Sequence, residues 1–292
     1  MQLKWKPSSS SSALHAAELV AHGHSLLDAN LQSQLAPIAD ALEEMGQRSI
    51  SGKERFWDWL IGLSSEYENN IQLAERVIAK THGTSGIRPD LPTKLAELIQ
   101  QSERALTATH PKIEEELTLR LGPMQELWNT YGPGLMVQIG KYSDPALIVK
   151  EATIIPVLPI VGGHGGVLLQ SNRCWIEAVL TNTNPSLPEV VRLAWLLSQL
   201  EADLPIHGEL VNSGRLPWIS SLAMLPPVLL AAQELELAQF SEDQLLLAIE
   251  KWWIPNSTEH SLVDTLLSWW DTYSSERPAW RIALTALDKM LQ

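Results

Sequence analysis

The spacing of apolar side chains predicts helices over most of the first 120 residues. Between residues 14 and 45, apolar positions recur at helical spacing and fall on one side, at Leu19, Val20, Leu26, Leu27 and Leu31. Pro37 should divide this segment into two helices, because proline removes a backbone donor. Further helices are predicted over 53–80, over 95–108 and from Pro111 to about Leu121.

The pattern changes after Pro123, where strand signals begin. From residue 173 to 180, Cys174, Ile176, Ala178 and Leu180 alternate with the residues between them. A period of two is typical of a strand with one buried face. Pro156 and Pro159 place the preceding run at a sheet edge or a bulge. We therefore expect a small central sheet with a hairpin at about 147–180.

The segment "NPSLPEVVRLAWLLSQL" has the clearest helix start in the chain. Ser186 and Glu189 have the spacing of a capping box, and Pro188 stands in the first turn. Apolar residues occupy most sides of this helix, so a buried helix is predicted over 187–200. The remaining helices are predicted over 217–238, 241–253, 259–272 and 277–291, with Ser241–Gln244 as a second helix-start pattern.

The order of these elements predicts a helix-dominant α+β fold. Residues 1–13 are interpreted as a low-complexity segment, in which the serine run 8–12 forms a flexible tether and Ser12 could cap the next helix. Residues 14–292 are expected to form a single domain, helical over 14–122, sheet-containing over 123–185 and helical over 186–292.

Composition and charge exclude several classes of partner. Hydrophobic residues make up 45% of the 292 residues and charged residues 19%, which suits a globular chain with a core. The net charge of −13 argues against nucleic-acid binding. The sequence contains no run of about 18 apolar residues, so no membrane span is expected. The start "MQLKWKPSSSSSALHAAEL" lacks the apolar region of a secretory signal. We expect a cytoplasmic protein.

The aromatic composition is unusual, with 12 tryptophans beside 2 phenylalanines and 4 tyrosines. The tryptophans are spread along the chain, which favours use in the core, although indole rings also stack on sugars and anchor interfaces. The single cysteine, Cys174, falls on the predicted strand. It is interpreted as a buried structural thiol, because a reactive thiol needs an accessible, electropositive setting.

The glycine-rich stretch "GGHGG" surrounds His164 and invites comparison with known loops. An oxyanion loop of the His-Gly-Gly type should accompany a G-x-S-x-G elbow, which the sequence lacks. A dinucleotide loop needs a third glycine and a following helix, and a phosphate loop needs G-K-[ST]. We therefore predict a five-residue hairpin tip, with a ligand-contacting loop as the alternative.

Seven residues are candidates for chemistry without forming a motif. His15, Glu18 and His22 share one helical stripe, which could hold a metal or form a solvated polar face. The sequence contains neither H-E-x-x-H nor a cysteine pair, so we assign no metal and infer no cofactor. A hydrolytic site of unfamiliar type would draw on the following residues: His164, Glu177, Arg192 and His207.

Arg192 stands in the predicted buried helix and must therefore find a partner. Glu177 on the preceding strand and Glu189 one turn back are both placed to pair with it. The two interpretations are a structural ion pair and a clamp for a substrate anion.

The order of elements over residues 124–240 resembles the upper half of a zincin-type metallopeptidase domain. A helix ends in "LWNTYGPGL", strands and a hairpin follow, and a buried helix comes next. In zincins that helix carries H-E-x-x-H, whereas the corresponding stretch here is "PEVVRLAWLLSQL". The resemblance implies a degenerate, non-catalytic relative, and no zincin site residue can be carried over.

The absence of catalytic motifs predicts a non-catalytic protein that interacts with an unknown protein partner or with itself. One alternative is a hydrolase with an unrecognised active site. Another is a module that binds a small molecule or sugar on tryptophan faces. Neither nucleic acid nor a membrane is expected as a partner.

Overall fold

The predicted helix-dominant α+β fold is confirmed by a computed structural model, which describes residues 1–49, 52–83, 89–255 and 260–292. The strands are β1 (Gln2–Trp5), β2 (Glu151–Val157), β3 (Gly165–Leu168) and β4 (Arg173–Glu177). The helices before β2 are α1 (Ser9–Ala21), α2 (Ala29–Gln47), α3 (Lys53–Ser64), α4 (Asn70–Thr81), α5 (Leu91–Thr109) and α6 (Ile113–Tyr142). Those after β4 are α7 (Glu189–Ser198), α8 (Pro205–Gly208), α9 (Leu216–Ala223), α10 (Leu225–Glu234), α11 (Glu242–Lys251), α12 (His260–Glu276) and α13 (Trp280–Met290). The start of the helix predicted at 259 lies outside the described residues.

The sheet has the order β1-β2-β4-β3, so β2 and β3 are not neighbours. β2 pairs in parallel with both β1 and β4, while β3 and β4 form an antiparallel hairpin. The turn of this hairpin is at residues 169–172, where Asn172 has a left-handed backbone. The prediction that "GGHGG" is a hairpin tip is wrong, because residues 158–164 instead connect β2 to β3 past the end of β4.

Helices cover both faces of the sheet. Cys174 and Ile176 of β4 join the core formed with α6, α7 and the carboxyl-terminal helices, whereas Trp175 joins the core formed with α1–α5. The prediction of a half-buried strand is therefore wrong, since Trp175 is 1% exposed and Glu177 0%. A central strand that is covered on both faces buries the side chains of both faces. The alternation of apolar residues in the sequence does not reveal the second layer of helices.

The amino-terminal residues are ordered parts of this fold, and the predicted flexible tether is wrong. β1 forms a parallel edge strand, with Gln2 opposite Glu151. Ser8 caps α1 by accepting a hydrogen bond from the Ser11 amide at 3.0 Å. Ser12, a predicted cap, lies inside the helix, and its hydroxyl accepts a hydrogen bond from the Leu158 amide at 3.0 Å. This bond ties α1 to the loop that follows β2.

α6 continues through Pro123 and Pro133, so the prediction of a sheet-containing region from residue 123 is wrong over 123–142. Met124, Trp128 and other buried side chains pack this helix against α7 and α10. That packing outweighs the two lost backbone bonds. The stretch "LWNTYGPGL", which the zincin resemblance places at a helix end, lies within α6. α2 likewise continues through Pro37.

α7 is the buried helix that the sequence predicts, and all ten of its residues are buried. The predicted capping box is wrong, because Ser186 donates its hydroxyl to Asn184 at 2.8 Å. The Glu189 amide instead donates to the Asn182 side chain at 3.1 Å, which leaves the Glu189 carboxylate for Arg192. The other helix-start pattern is confirmed, since Ser241 accepts a hydrogen bond from the Gln244 amide.

Two further expectations concern burial. Cys174 is fully buried, as predicted, and burial raises the pKa of its thiol far above the usual range.

The segment Leu216–Glu234 has the length and mean hydropathy (1.3) of a membrane span, but 72% of it is buried. Core helices have the same composition, so this segment is weak support for a membrane span.

Candidate functional site

The glycine-rich loop surrounds the carboxylate of Glu177 at the end of β4. Glu177 Oε1 accepts hydrogen bonds from the amides of Ile160 at 2.8 Å and Val161 at 3.0 Å. Glu177 Oε2 accepts from the amides of Gly163 at 2.7 Å and His164 at 3.2 Å. The loop thus forms a nest of backbone donors of the kind that binds anions. Its anion is a side chain of the protein.

Glycine permits this wrapping at two kinds of position. Gly162 and Gly163 have φ angles of 76° and 141°, which other residues rarely adopt. Gly166 packs against the ring of Trp175, where an added Cβ would lie 2.2 Å from a ring carbon. The glycines therefore serve both the turn and the close packing of β3 on β4.

His15 of α1 lies beside the Glu177 carboxylate. His15 Nε2 donates to Glu177 Oε1 at 3.2 Å, and His15 Nδ1 is 3.4 Å from Glu18 Oε2. Burial by itself would lower the pKa of His15, but hydrogen bonds to the two carboxylates raise it to about 9. Burial by itself would raise the pKa of Glu177, but His15 and the backbone donors hold it well below its usual range. The imidazolium and both carboxylates are therefore charged at neutral pH.

His164 stacks its ring on His15, with 5.1 Å between ring centroids and 26° between planes. Burial and the positive charge of His15 lower the pKa of His164 to about 4, so its imidazole is neutral. His164 Nδ1 is buried and has no hydrogen-bond partner within the part of the chain that the structure describes. A buried nitrogen of this kind carries an unused coordination or hydrogen-bonding capacity.

Arg192 of α7 closes the other side of the loop. Its guanidinium pairs with the Glu189 carboxylate and donates to the carbonyl oxygens of His164 at 2.5 Å and Glu177 at 3.2 Å. Glu189 is therefore its ion-pair partner, whereas Glu177 contributes its backbone carbonyl. Arg192 is 1% exposed and donates to protein acceptors. This geometry favours the structural ion pair over a substrate clamp.

The structure brings together three of the four residues suggested for a hydrolytic site: His164, Glu177 and Arg192. His207 lies on α8, which packs against α13. It is 2% exposed, and both of its ring nitrogens lack a hydrogen-bond partner among the described residues, so it makes no side-chain hydrogen bond to the other three. Its part in the predicted site stays a prediction.

The predicted stripe of His15, Glu18 and His22 is divided by burial. His15 is 0% and Glu18 6% exposed, so a solvated polar face is wrong for these two residues, while His22 is exposed at the end of α1. His164, rather than His22, completes the group of three possible metal ligands. One ligand atom from each of His15, Glu18 and His164 lies within 4.8 Å of the others. Helical spacing could identify the first two but not a residue from a distant loop.

A cleft of about 940 Å³ opens beside this cluster, and His164 is part of its wall. Four tryptophans also line it: Trp195, Trp218, Trp252 and Trp253. Trp195 and Trp252 pack at 5.0 Å between ring centroids, while Trp253 is 40% exposed. Two of the indole nitrogens are paired with the protein, since Trp195 donates to the Ser221 carbonyl and Trp218 to the Pro255 carbonyl. Trp195 and Trp252 are only 5% and 4% exposed, so Trp218 and Trp253 present most of the accessible indole surface.

Trp253 has an unusual backbone conformation. Its φ angle is 58°, in the left-handed region that bulky residues rarely adopt. The ring of His24 meets the Trp253 ring edge-on at 4.6 Å, and the His164 ring is 6.5 Å away. Trp253 therefore stands between the cleft and the buried cluster.

Polar groups line the cleft beside the tryptophans. The guanidinium of Arg215 lies 5.2 Å from the Trp218 ring and is paired with Asp288 at 2.6 Å. Asp58 and Gln199 also line the cleft. A wall that combines aromatic rings with polar groups is typical of small-molecule sites.

Comparison with known proteins finds no matching family model, curated protein or solved structure. The zincin resemblance stays a prediction, and none of the residues described above depends on it.

Proposed function

We propose that this protein is a non-catalytic binding protein that holds a small molecule with a flat apolar face, such as a sugar ring. The observation that carries this proposal is the convergence of four tryptophans on one cleft of about 940 Å³. Small-molecule sites commonly have volumes of roughly 300–1,000 Å³ and aromatic walls. Tryptophan presents a large rigid surface to such a ligand at little cost in conformational entropy.

The exposure of Trp253 supports the proposal. Trp253 follows the last turn of α11, where a left-handed residue commonly ends a helix, and the Ile254 amide closes this turn by donating to the Ile249 carbonyl at 3.1 Å. The helix end thus accounts for the backbone of Trp253. Its indole is 40% exposed at the cleft and is available to a ligand.

The charged cluster supports binding rather than catalysis. Glu177 accepts hydrogen bonds from the loop and His15, and Arg192 donates to Glu189 and to backbone carbonyls. A general acid or base needs to reach the substrate with its polar atoms. The side chains of Glu177 and Arg192 direct their polar atoms at the protein and hold the wall of the cleft in place.

Replacing Trp253 with alanine should weaken ligand binding at least about tenfold, which corresponds to about 1.4 kcal/mol. Titration of intrinsic tryptophan fluorescence with maltohexaose and 4-nitrophenyl glucoside measures this effect. Leu119→Ala is the control, because Leu119 is 75% exposed on α6 and is outside the described lining of the cleft. The proposal is wrong if neither probe binds the wild-type protein, or if Trp253→Ala binds as tightly as the wild type.

Self-association is a second candidate, favoured by apolar side chains near α8. Ile206 is 60%, Leu210 51% and Ile282 49% exposed. An ion pair of 3.3 Å between Arg281 and Glu209 places α13 beside this surface. Contiguous exposed apolar side chains are typical of interfaces.

Light scattering at increasing protein concentration tests this candidate, which commits to a second copy of the chain as the partner. The wild-type protein should form a dimer, and Ile206→Ser should shift the measured mass towards the monomer. Leu119→Ser, which replaces an exposed leucine on α6, should leave the mass unchanged. A monomeric wild type at all concentrations contradicts self-association.

A further inference from the structure

We propose that His15, Glu18 and His164 form a binding site for one divalent transition-metal ion of the zinc type, with Glu177 orienting His15. This inference goes beyond ligand binding in the cleft and does not depend on it. It rests on the positions of the three side chains, on a buried nitrogen without a partner and on the hydrogen bond behind His15.

The distances suit a tetrahedral ion. His15 Nδ1 and Glu18 Oε2 are 3.4 Å apart. Two ligands bound at about 2.0–2.1 Å with tetrahedral angles lie about 3.3–3.4 Å from each other. One ligand atom from each of His15, Glu18 and His164 lies within 4.8 Å of the others, so the three side chains share one small volume.

The unpartnered nitrogen points to a missing ligand. His164 Nδ1 is buried and makes no hydrogen bond with any described residue. Buried polar atoms in native proteins are nearly always paired. Coordination of an ion by this nitrogen would give it the partner that it lacks among the described residues.

Glu177 has the position of the outer carboxylate in a carboxylate–histidine–metal arrangement. It accepts the Nε2 proton of His15 at 3.2 Å, and Nδ1 is directed at Glu18. A bound ion replaces the Nδ1 proton, which is released to solvent. Such outer carboxylates fix the ring orientation of the ligating histidine. The four backbone amides that hold Glu177 make this orientation rigid.

The donor set selects among metals. Two imidazoles and one carboxylate suit zinc and related transition metals, whereas calcium and magnesium prefer all-oxygen sites. Arg192 and Glu189 neutralise each other by pairing. Glu18 and Glu177 therefore supply the negative charge that a divalent cation needs. His164, which lines the cleft, gives the ion a route from solvent.

Titration of the full-length protein with zinc alone, followed by calorimetry, should give one ion per chain. Cobalt should bind in its place with the visible absorption of a tetrahedral ion. Glu18→Gln and His164→Ala should each weaken zinc binding at least about tenfold. His22→Ala should bind zinc like the wild type, and it also distinguishes this site from the stripe of His15, Glu18 and His22.

The inference is overturned if the wild-type protein does not bind zinc at one ion per chain, or if the cobalt spectrum is that of an octahedral ion. It is also overturned if both Glu18→Gln and His164→Ala retain wild-type affinity, or if His22→Ala loses binding while His164→Ala keeps it. Circular dichroism verifies that each variant is folded. The wild-type stoichiometry and spectrum decide the matter even where a variant does not fold.

Discussion

Glu177→Ala is expected to lower the free energy of unfolding by at least about 4 kcal/mol, or to prevent folding. The substitution leaves four backbone amides and the charged His15 without their shared acceptor in a fully buried position. An unsatisfied buried donor costs about 1–3 kcal/mol, and an uncompensated buried charge costs about 3–5 kcal/mol. Urea denaturation followed by circular dichroism measures the change.

The amide variant separates charge from volume. Glu177→Gln keeps the shape of the side chain, but its NH₂ group must face backbone donors, so a loss of at least about 2 kcal/mol is expected. Glu151→Gln is the matched control at the start of β2, where the carboxylate is 60% exposed and pairs with Lys4 at the surface. Its effect should stay within about 0.5 kcal/mol. Equal stability of Glu177→Gln and the wild type would contradict the ionised carboxylate in the loop.

Arg192→Ala should lower the free energy of unfolding by about 3–5 kcal/mol, because it leaves the Glu189 carboxylate buried without its partner. Two backbone carbonyls, those of His164 and Glu177, lose their donor as well. Arg192→Lys should recover only a small part of the loss, since one ammonium group cannot reach all three acceptors that the guanidinium joins. Chemical denaturation of the purified variants tests both expectations.

Arg48→Ala is the control for a helical ion pair in solvent. Arg48 pairs with Glu44 on α2, and both side chains are more than half exposed. Removing this pair should change stability by less than about 0.5 kcal/mol. If Arg192→Ala were equally mild, the guanidinium would not hold the loop against α7.

Local patterns in the sequence were sufficient to predict much of the helical structure. α7 was predicted as a buried helix because its apolar residues occupy most sides, and all of its residues are buried. The start of α11 follows from the pattern Ser241–Gln244, because a cap involves residues only three apart. Helix dominance and the central position of the strands follow from the same short-range signals.

The errors arise where distant residues decide the structure. Pro123 breaks an isolated helix, yet packing against α7 and α10 keeps α6 continuous. β1 contains only four residues and exists through its pairing with β2, which the local sequence does not reveal. Loop composition likewise could not show that "GGHGG" surrounds a carboxylate, since its partner Glu177 belongs to another strand.

The sequence predicts only part of the candidate site, because local spacing reveals neighbours on one helix but not residues from distant elements. His15 and Glu18 were paired correctly, because helical spacing places residues three apart on one face. Their burial was missed, since it depends on the loop that follows β2. His164 was considered with Glu177 and Arg192, but its position beside His15 needed the folded chain.

The hydrogen bond between His15 and Glu177 also constrains the timing of folding during synthesis. These residues are 162 positions apart, and a ribosome adding about 5–20 residues per second needs about 8 to 30 s to cover that distance. For most of this interval β2 and the glycine-rich loop have not been synthesised, so α1 cannot contact them and β1 has no strand to pair with. Since non-local pairings form late, the amino-terminal helices reach their final packing only after β4 has left the ribosome. Nascent chains that stop before residue 177 should therefore remain sensitive to protease across the amino-terminal half.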